Sequence, residues 1–424
     1  MSSMTPLAEI EQLVQARARE LALDTDRDPA ALAALVDETV AQWTVDHKRG
    51  IRPFDLSEPS RVAERAVRNL TGYGPLEPLL ADDDVWEIMI NSPTAIFVKR
   101  HRGPSGYHDE VFHDDEHVTR TLTKILEDAS SAHRKLDPTE GLQDAQLDDG
   151  SRLHIVHGDI GRGGHTIVNI RKFSHVAFTD LDQLVERGML DDQAARFLSA
   201  CVRGRASIVF AGAPGSGKTT LLSCCCTELD PSLRVVVAEE VFEADVPLPN
   251  VASLQTRPGR GDRAPIDLRR LVSGFLRMAP DVAIVGEVRD REALPLLMAL
   301  SSGVKGFTTL HAGSARQALT RLRFICQLDR DLPLSALNTL VSEAIDVVVH
   351  CSRTAEGPRV TEIVAVEDMA GGPEAAQFTT TPLFTRDGPD GPLRWSGQLP
   401  ARLNRTLRDA GTDLRSVLDR EALE

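Results

Sequence analysis

The spacing of hydrophobic residues predicts a helical start to this chain of 424 residues. Apolar side chains recur at helical intervals at Leu7, Ile10, Leu13, Val14 and Leu21. Residues 30–43 repeat that pattern, and Pro29 stands where a second helix would begin. We therefore expect residues 1–60 to form a helical N-terminal extension, an appended hairpin or coil that docks elsewhere.

From residue 61 the pattern becomes mixed α/β. Residues 85–91 and 95–99 predict the two strands of a hairpin. A helical stretch at 118–129 follows, and then two further strands at 151–157 and 166–173. We expect an N-terminal α/β domain at 61–174 and a linker at 175–180.

Beyond the linker, strand and helix patterns alternate over residues 181–350. Such alternation is typical of a mostly parallel sheet with helices on both faces. The tail at 351–424 is richer in Gly, Pro and Asp, and it predicts a C-terminal extension with a hairpin and a closing helix near 399–418.

Composition narrows the class of protein. The 48 basic and 63 acidic residues give a net charge of −15, which disfavours a nucleic-acid partner because phosphate binding needs clustered cations. No apolar run is long enough to span a bilayer, and the N-terminus lacks a signal-peptide core. We expect a cytoplasmic protein that contacts a membrane only through partners, with its six cysteines serving as small buried hydrophobes.

Residues 208–220 carry the most informative motif, because an apolar strand runs into a glycine-rich loop and then into a helix. The loop and helix start comprise Gly212, Ala213, Pro214, Gly215, Ser216, Gly217, Lys218, Thr219 and Thr220. This is the phosphate-binding P-loop in its strand–loop–helix context. Lys218 is expected on the β- and γ-phosphates and the Thr219 hydroxyl on Mg2+. The chain is predicted to bind a nucleoside triphosphate, and the absence of an Asn-Lys-x-Asp sequence favours ATP.

Two acidic elements follow buried-type strands. Residues 234–238 lead into Glu239 and Glu240, with Glu243 close behind, and residues 282–285 lead into Gly286 and Glu287. Carboxylates at the carboxyl ends of parallel strands lie on the rim where such sheets bind ligands. Each could polarise water or hold Mg2+ through its water shell.

Four motifs in order resemble the secretion ATPases of type II and type IV systems. They are the P-loop, the acidic box at 239–243, Gly286-Glu287-Val288-Arg289-Asp290 and Thr308-Thr309-Leu310-His311-Ala312. Residues 72–80, 85–91, 151–152 and 170–173 also resemble the CpaF/TadA branch, which assembles tight-adherence (Tad) pili. The likeness covers residues 65–350.

The resemblance implies a RecA-like P-loop core behind a smaller N-terminal α/β domain, with nucleotide bound between the two domains. It implies a hexameric ring that works on an inner-membrane platform protein, so that the chain would associate peripherally with the inner face of the membrane.

The resemblance also assigns roles to individual residues. By matching position, Glu243 is the general base, Glu287 acts on Mg2+ through water, and His311 senses the γ-phosphate. Arg152 and Arg171 would reach the phosphates from the N-terminal domain.

The chain departs from the family pattern in two places. Glu240 stands where the acidic box usually has aspartate, and the first histidine of the His box would fall near Val304 or Lys305. Lys305 could substitute for that histidine, whereas Val304 could not.

Other functional classes stay open at this point. The first alternative to a motor is a non-hydrolysing scaffold that uses ATP as structural glue. The second is a nucleic-acid translocase, which the acidic balance disfavours, and a small-molecule kinase would leave the later motifs unexplained.

The acidic box generates a first prediction. Glu243→Gln should retain ATP binding but lower turnover by about a hundredfold or more, because the attacking water loses its base. Nucleotide binding and phosphate release measured on the same preparation test this. Near-normal turnover would place the base elsewhere.

Overall fold

The structure is a computed structural model that describes residues 5–23, 28–100, 103–129, 135–172, 178–257, 264–329, 332–369, 377–388 and 391–419. The chain divides into two compact units, Met1–Ser174 and His175–Glu424. Phe173 of the predicted strand and residues 175–177 of the predicted linker lie outside the described residues. In the described ranges, no helix is both long and apolar enough to cross a membrane.

The first unit combines helices with an antiparallel sheet. Its helices are α1 (Pro6–Glu20), α2 (Pro29–Lys48), α3 (Pro59–Thr71), α4 (Glu77–Ala81) and α5 (Asp115–Asp128). Its strands are β1 (Val85–Ser92), β2 (Ala95–Arg100), β3 (Gly106–Tyr107), β4 (Leu142–Gln146), β5 (Arg152–Val156) and β6 (Ile167–Arg171). As predicted, β1 and β2 form a hairpin, and α2 begins at Pro29.

The N-terminal helices pack into the first unit. Helices α1, α2 and α3 share one hydrophobic cluster that includes Ile10, Val36 and Trp43. Asn69 donates a hydrogen bond to Glu11 Oε1 at 2.7 Å, and His113 Nε2 lies 2.9 Å from Glu11 Oε2. Because Glu11 is buried and contacts α3 and the segment before α5, the extension is fixed within this unit and does not stand apart.

The sheet of the first unit has the order β3-β2-β1-β6-β5-β4. Ile88 and Ile90 on β1 and Val168 and Ile170 on β6 are fully buried, whereas the residues that alternate with them are more accessible. One face of the sheet is therefore buried and apolar, and the other, called here the polar face, is more accessible and carries Glu87, Asn169 and Arg171 beside Met89 and Ile167.

Arg152 and Arg171 lie on the polar face. They are directly opposite each other on β5 and β6, and Arg171 is in turn opposite Glu87 on β1. Opposed residues of antiparallel strands point to the same side. The two arginines that the sequence assigns to phosphates are therefore neighbours within this unit.

The second unit is built around a larger sheet. Its helices are α6 (Leu181–Glu186), α7 (Asp192–Arg203), α8 (Lys218–Cys226), α9 (Leu268–Ser273), α10 (Ala293–Ser301), α11 (Ala315–Asp329), α12 (Leu334–Ala344), α13 (Ala401–Asp409) and α14 (Leu414–Leu418). Its strands are β7 (Ile208–Gly212), β8 (Val235–Glu239), β9 (Val251–Gln255), β10 (Val282–Val288), β11 (Lys305–Leu310), β12 (Val347–Thr354), β13 (Gly357–Val366), β14 (Thr380–Arg386) and β15 (Leu393–Trp395).

This sheet has the order β15-β14-β13-β12-β7-β11-β10-β8-β9. The strands from β12 to β9 are parallel, and β13, β14 and β15 extend the sheet with antiparallel pairs. Ile208 and Phe210 of β7 enter one hydrophobic core, and Val209 and Ala211 enter the core on the opposite face. The predicted fold class is confirmed: the protein is α/β with a RecA-like P-loop core.

The C-terminal tail is part of this core. Strand β12 runs across the predicted boundary at 350/351, and the next three strands continue the same sheet. Leu403 and Leu407 of α13 are fully buried in the cluster that contains Phe210. A Cβ on Gly204 would lie 2.2 Å from Leu407 Cδ2, which shows how closely α13 approaches α7. The sequence did not predict these apolar contacts, because the tail is rich in Gly, Pro and Asp.

All six cysteines are free and buried. Burial raises the pKa of Cys224, Cys326 and Cys351 to about 12 in each case. The thiols therefore stay protonated at neutral pH and act as small apolar groups, as the sequence predicts.

Candidate nucleotide-binding site

The P-loop follows the central strand of the second unit. Strand β7 is buried along its whole length, and α8 begins directly after Gly217. Gly217 has φ +85°, and a Cβ there would lie 2.9 Å from Pro358 Cβ. Gly212 has φ +151°, and a Cβ there would lie 2.2 Å from the Cys351 carbonyl oxygen. Both positions need glycine, because side chains are strained at such φ values and strands β12 and β13 leave no space.

Three side chains lie against carbonyl oxygens of the loop. Lys218 Nζ donates to Ala213 O at 2.9 Å, and Arg353 Nη1 donates to Gly215 O at 3.2 Å. His311 Nδ1 lies 3.1 Å from Gly212 O. Lys218 is only 6% exposed, so a nearly buried ammonium group lies within the loop. A cation in this position, beside a helix N-terminus, suits the phosphates of a nucleotide.

Glu287 stands at a bulge in β10. Val285 pairs with Thr308 and Val288 with Leu310, so β10 has one residue more than β11 over this interval. The hydroxyl of Thr309 donates to Gly286 O at 2.7 Å and holds the bulge against β11. β-Bulges redirect side chains beside active sites, and this one sets the direction of Glu287.

A nitrogen atom lies close to each carboxylate oxygen of Glu287, but only Oε2 accepts a hydrogen bond, and Oε1 has no hydrogen-bond partner among the described residues. Arg289 Nη2 donates to Oε2 at 2.7 Å, and His311 Nε2 lies 2.8 Å from Oε1. Burial by itself raises the pKa of Glu287, but the hydrogen bond and charge of Arg289, together with His311 and Lys218, outweigh it and hold the pKa below its usual value. Glu287 is therefore ionised at neutral pH.

The acidic box is anchored by its first residue. Glu239 ends β8, is buried, and accepts hydrogen bonds at Oε1 from the backbone N–H groups of Glu243 at 3.0 Å and Ala244 at 2.9 Å. A Cβ on Gly286 would lie 2.7 Å from Glu239 Cγ, so that glycine admits the Glu239 side chain. Glu239 thus positions the loop that carries Glu243.

Arg289 joins the acidic box to Glu287. Its Nη1 donates to Glu240 Oε2 at 2.9 Å, while Nη2 binds Glu287. The pKa of Arg289 is raised chiefly by its hydrogen bond to Glu287, and Glu240 and Glu243 also contribute by charge. Glu243, half-buried, therefore lies at the same edge of the sheet as Glu287.

A continuous chain of contacts results. It runs from Glu240 through Arg289 and Glu287 to His311, whose Nδ1 lies 3.4 Å from Lys218 Nζ. Nδ1 also lies 3.1 Å from Gly212 O, which can only accept a hydrogen bond, whereas Lys218 can only donate one, so Nδ1 bonds to one of these two groups at a time. Three of the four predicted catalytic residues, Lys218, Glu287 and His311, are in direct contact.

The remaining candidates occupy separate places. Thr219 and Thr220, half-buried, lie in the first turn of α8, and the side chain of Ser216 is fully buried beneath the loop. Arg152 and Arg171 lie in the first unit.

The side-chain oxygens of the site suit a Mg2+ ion that is also bound by the phosphates of a nucleotide. Within the part of the chain that the structure describes, no group of three or more His, Cys, Asp and Glu side chains could hold a metal by itself. Mg2+ is usually held by one or two protein oxygens together with phosphates and water. The Thr219 hydroxyl and the Glu287 carboxylate are oxygens of the required kind.

The expectation that Lys305 could replace the missing histidine is wrong. Lys305 begins β11, whereas the P-loop lies at the opposite, carboxyl edge of the sheet; six strand residues span about 16–20 Å. The Lys305 ammonium instead donates to Asp346 Oδ2 at 3.1 Å, and Asp346 also binds Arg402 Nη2 at 3.1 Å. Val304 is partly buried against an apolar cluster. Neither residue supplies a polar group to the site.

Sequence reasoning missed three residues of the site. Arg289 lies in the motif of residues 286–290, and its position two residues after Glu287 could have indicated a contact with that carboxylate. Glu239 received no role of its own. Arg353 lies in the tail, and no sequence pattern indicated that β12 would bring it to Gly215.

The fold and this site define a P-loop nucleotide-binding protein. A family model described as "Type II/IV secretion system protein" matches residues 69–379, and the chain belongs to that family of secretion ATPases. At the family level, membership implies binding and hydrolysis of ATP with Mg2+.

Individual proteins are similar over most of the chain. "Putative conjugal transfer protein Rv3659c" of Mycobacterium tuberculosis is 32% identical over 314 residues, which cover 72% of this chain and 86% of that protein. "Type IV secretion system protein PtlH" of Bordetella pertussis is 32% identical over 310 residues, which cover 66% and 89%. Among solved structures, the VirB11 ATPase of the Brucella suis type IV secretion system matches with 26% identity and a TM-score of 0.36, covering 68% of this chain and 91% of that one.

The geometry of the loop generates a prediction for Gly217→Ala. A side chain forced to positive φ costs about 1–3 kcal/mol, which corresponds to about five- to 150-fold in ATP affinity if the loop must relax. Gly397→Ala is the matched control, because Gly397 has φ +79° but no atom within 4 Å of the place that a Cβ would take. Calorimetric titration with ATP should show weaker binding for Gly217→Ala alone. Unchanged affinity would contradict the assigned loop geometry.

Proposed function

We propose that the protein is the ATP-hydrolysing motor of a type II or type IV secretion system, of the branch that assembles Tad pili. The observation that carries this proposal is the chain of contacts from Lys218 through His311 and Glu287 to Arg289 and Glu240. Such an arrangement couples a phosphate-binding cation to the carboxylates that hydrolysis needs.

Each residue has a defined task in this proposal. Lys218 binds the β- and γ-phosphates of ATP, and the backbone of residues 212–217 surrounds them. Thr219 and Glu287 hold Mg2+, which when bound neutralises charge that develops on the phosphate oxygens. Glu243 orients the attacking water and accepts its proton. His311 detects the γ-phosphate through its position between Lys218 and Glu287.

Arg152 and Arg171 supply further positive charge to the phosphates. Their positions directly opposite each other on adjacent strands support a joint role. Cations are valuable there because phosphoryl transfer spreads negative charge over the equatorial oxygens. ATP binding would draw the N-terminal domain towards the RecA-like core, and hydrolysis would release it.

The proposed assembly is a hexameric ring at the inner face of the membrane. Rocking of each subunit would pass work to an inner-membrane platform protein, and no nucleic acid takes part. Residues 72–80 and 85–91 support the Tad branch, since they carry its characteristic sequence.

A non-hydrolysing ATP-binding scaffold is the second candidate. The observation that favours it is the missing His-box histidine, because Val304 is apolar and Lys305 is paired with Asp346 at the other end of β11. In a scaffold, ATP would bind the same P-loop and stay intact.

Dependence of ATPase activity on protein concentration tests the ring. If arginines of one subunit serve a neighbouring subunit, specific activity should rise by about tenfold or more as the protein assembles, because a single arginine at the phosphates is worth about a thousandfold. Activity is measured across dilutions together with the oligomeric state by light scattering. Arg152→Ala and Arg171→Ala should assemble without the rise. A flat profile for the unchanged chain would mean that each subunit works alone.

A further inference from the structure

The backbone at Arg289 is anchored by hydrogen bonds, and the side chain extends away from the packed interior. Glu292, which is 5% exposed, accepts hydrogen bonds from the backbone N–H groups of Arg289 and Asp290, the latter at 2.8 Å. The Arg289 side chain is about half-exposed and extends back over the end of β10. The side chain therefore starts from a fixed backbone position. Replacing the guanidinium group would leave β10 and α10 intact.

The guanidinium group uses two nitrogens on two different carboxylates. Nη2 binds Glu287 Oε2 at 2.7 Å, and Nη1 binds Glu240 Oε2 at 2.9 Å. Arginine suits this task because its donors form a rigid planar fork, whereas a lysine ammonium is a single point charge on a flexible stem. The bridge fixes both carboxylates relative to one another.

Folding stability does not account for this bridge. Arg289 and Glu240 are each 47% exposed, and ion pairs with such exposure contribute little to stability. What the bridge controls is the direction of Glu287, whose other oxygen faces His311. Oε1 is buried and has no hydrogen-bond partner among the described residues, so the hydrogen bond from Arg289 to Oε2 is what orients the carboxylate.

We propose that Arg289 is a positioning residue for ATP hydrolysis, which holds Glu287 in its working orientation and ties it to Glu240 of the acidic box. The inference rests on the proposed ATPase function and deepens it by adding a residue that acts through Glu287. Arg289 itself is assigned no contact with the nucleotide.

The bridge also gives the unusual Glu240 a purpose. Glutamate reaches one carbon–carbon bond further than the aspartate usual in the family, and its carboxylate is at hydrogen-bond distance from Arg289. An aspartate with the same backbone would hold its oxygens farther back. The departure from the family pattern is therefore compatible with an ordered site.

Arg289→Gln is the central test, made on the full chain. Because misplacement of a catalytic group by about 1 Å can cost about a hundredfold, kcat should fall by about ten- to a hundredfold while KM changes by less than about threefold. Arg289→Lys should restore part of the loss, since it keeps the charge but offers only one contact. Combined with Glu287→Gln, the Arg289→Gln change should cost nothing further.

A binding measurement supplies a readout that does not need turnover. The affinity for a fluorescent ATP analogue is measured with Mg2+ and with EDTA, and the ratio of the two dissociation constants reports the contribution of Glu287 to the metal. Glu287→Gln and Arg289→Gln should shrink that ratio in the same direction. A wild-type ratio of dissociation constants in Arg289→Gln would overturn the inference about Arg289, whether or not the unchanged protein hydrolyses ATP. Absence of ATP hydrolysis by the unchanged protein would instead contradict the proposed function.

Arg291→Gln is the matched control. Arg291 lies two residues further along, is 63% exposed, and lies 3.8 Å from Asp329, which also pairs with Arg269 at 3.0 Å. Its loss should leave kcat and the metal ratio unchanged. The effects of Arg289→Gln and Glu240→Gln should be less than additive, since they break the same contact. Full additivity, or a normal kcat in Arg289→Gln, would refute the bridge.

Discussion

The carboxylate of Glu287 connects the two halves of the site, because a different element lies against each of its oxygens. His311, at the end of β11, contacts Oε1, and Arg289, just beyond β10, contacts Oε2. His311 continues to the P-loop through Gly212 O and Lys218, and Arg289 continues to the acidic box through Glu240. The Lys218 ammonium, which is proposed to bind phosphate, is thereby linked through three side chains, His311, Glu287 and Arg289, to Glu240 of the acidic box after β8.

The parallel sheet makes this link possible. Strands β7, β11, β10 and β8 are consecutive neighbours, so their carboxyl ends present Gly212, His311, Glu287 and Glu240 along one edge. The bulge at Gly286 directs Glu287, and the same glycine leaves space for the buried Glu239. On the other side, β12 approaches Gly212 so closely that only glycine fits. The binding loop is thus shaped by strands on both of its flanks.

Much of this could be predicted from the sequence, since the P-loop, the acidic box, Glu287 and His311 each follow an apolar strand in a recognisable local pattern. What escaped prediction depends on strand order and register. Lys305 and Leu310 belong to the same strand, yet only knowledge of its length and direction shows that Lys305 lies at the far end. Arg353 reaches Gly215 because β12 pairs with β7, a contact between segments far apart in the sequence. The packing of α13 was hidden by the polar composition of the tail.

Hydrolysis of ATP by this site is tested most directly by phosphate release. The purified full chain is assembled with saturating ATP and Mg2+, and inorganic phosphate is followed beside a Lys218→Ala variant at the same concentration. We predict steady release from the unchanged protein and none above background from the variant, because Lys218 is proposed to bind the phosphates that would be cleaved. Bound ATP that stays intact, with release no greater than in Lys218→Ala, would contradict the motor and leave only a nucleotide-binding scaffold.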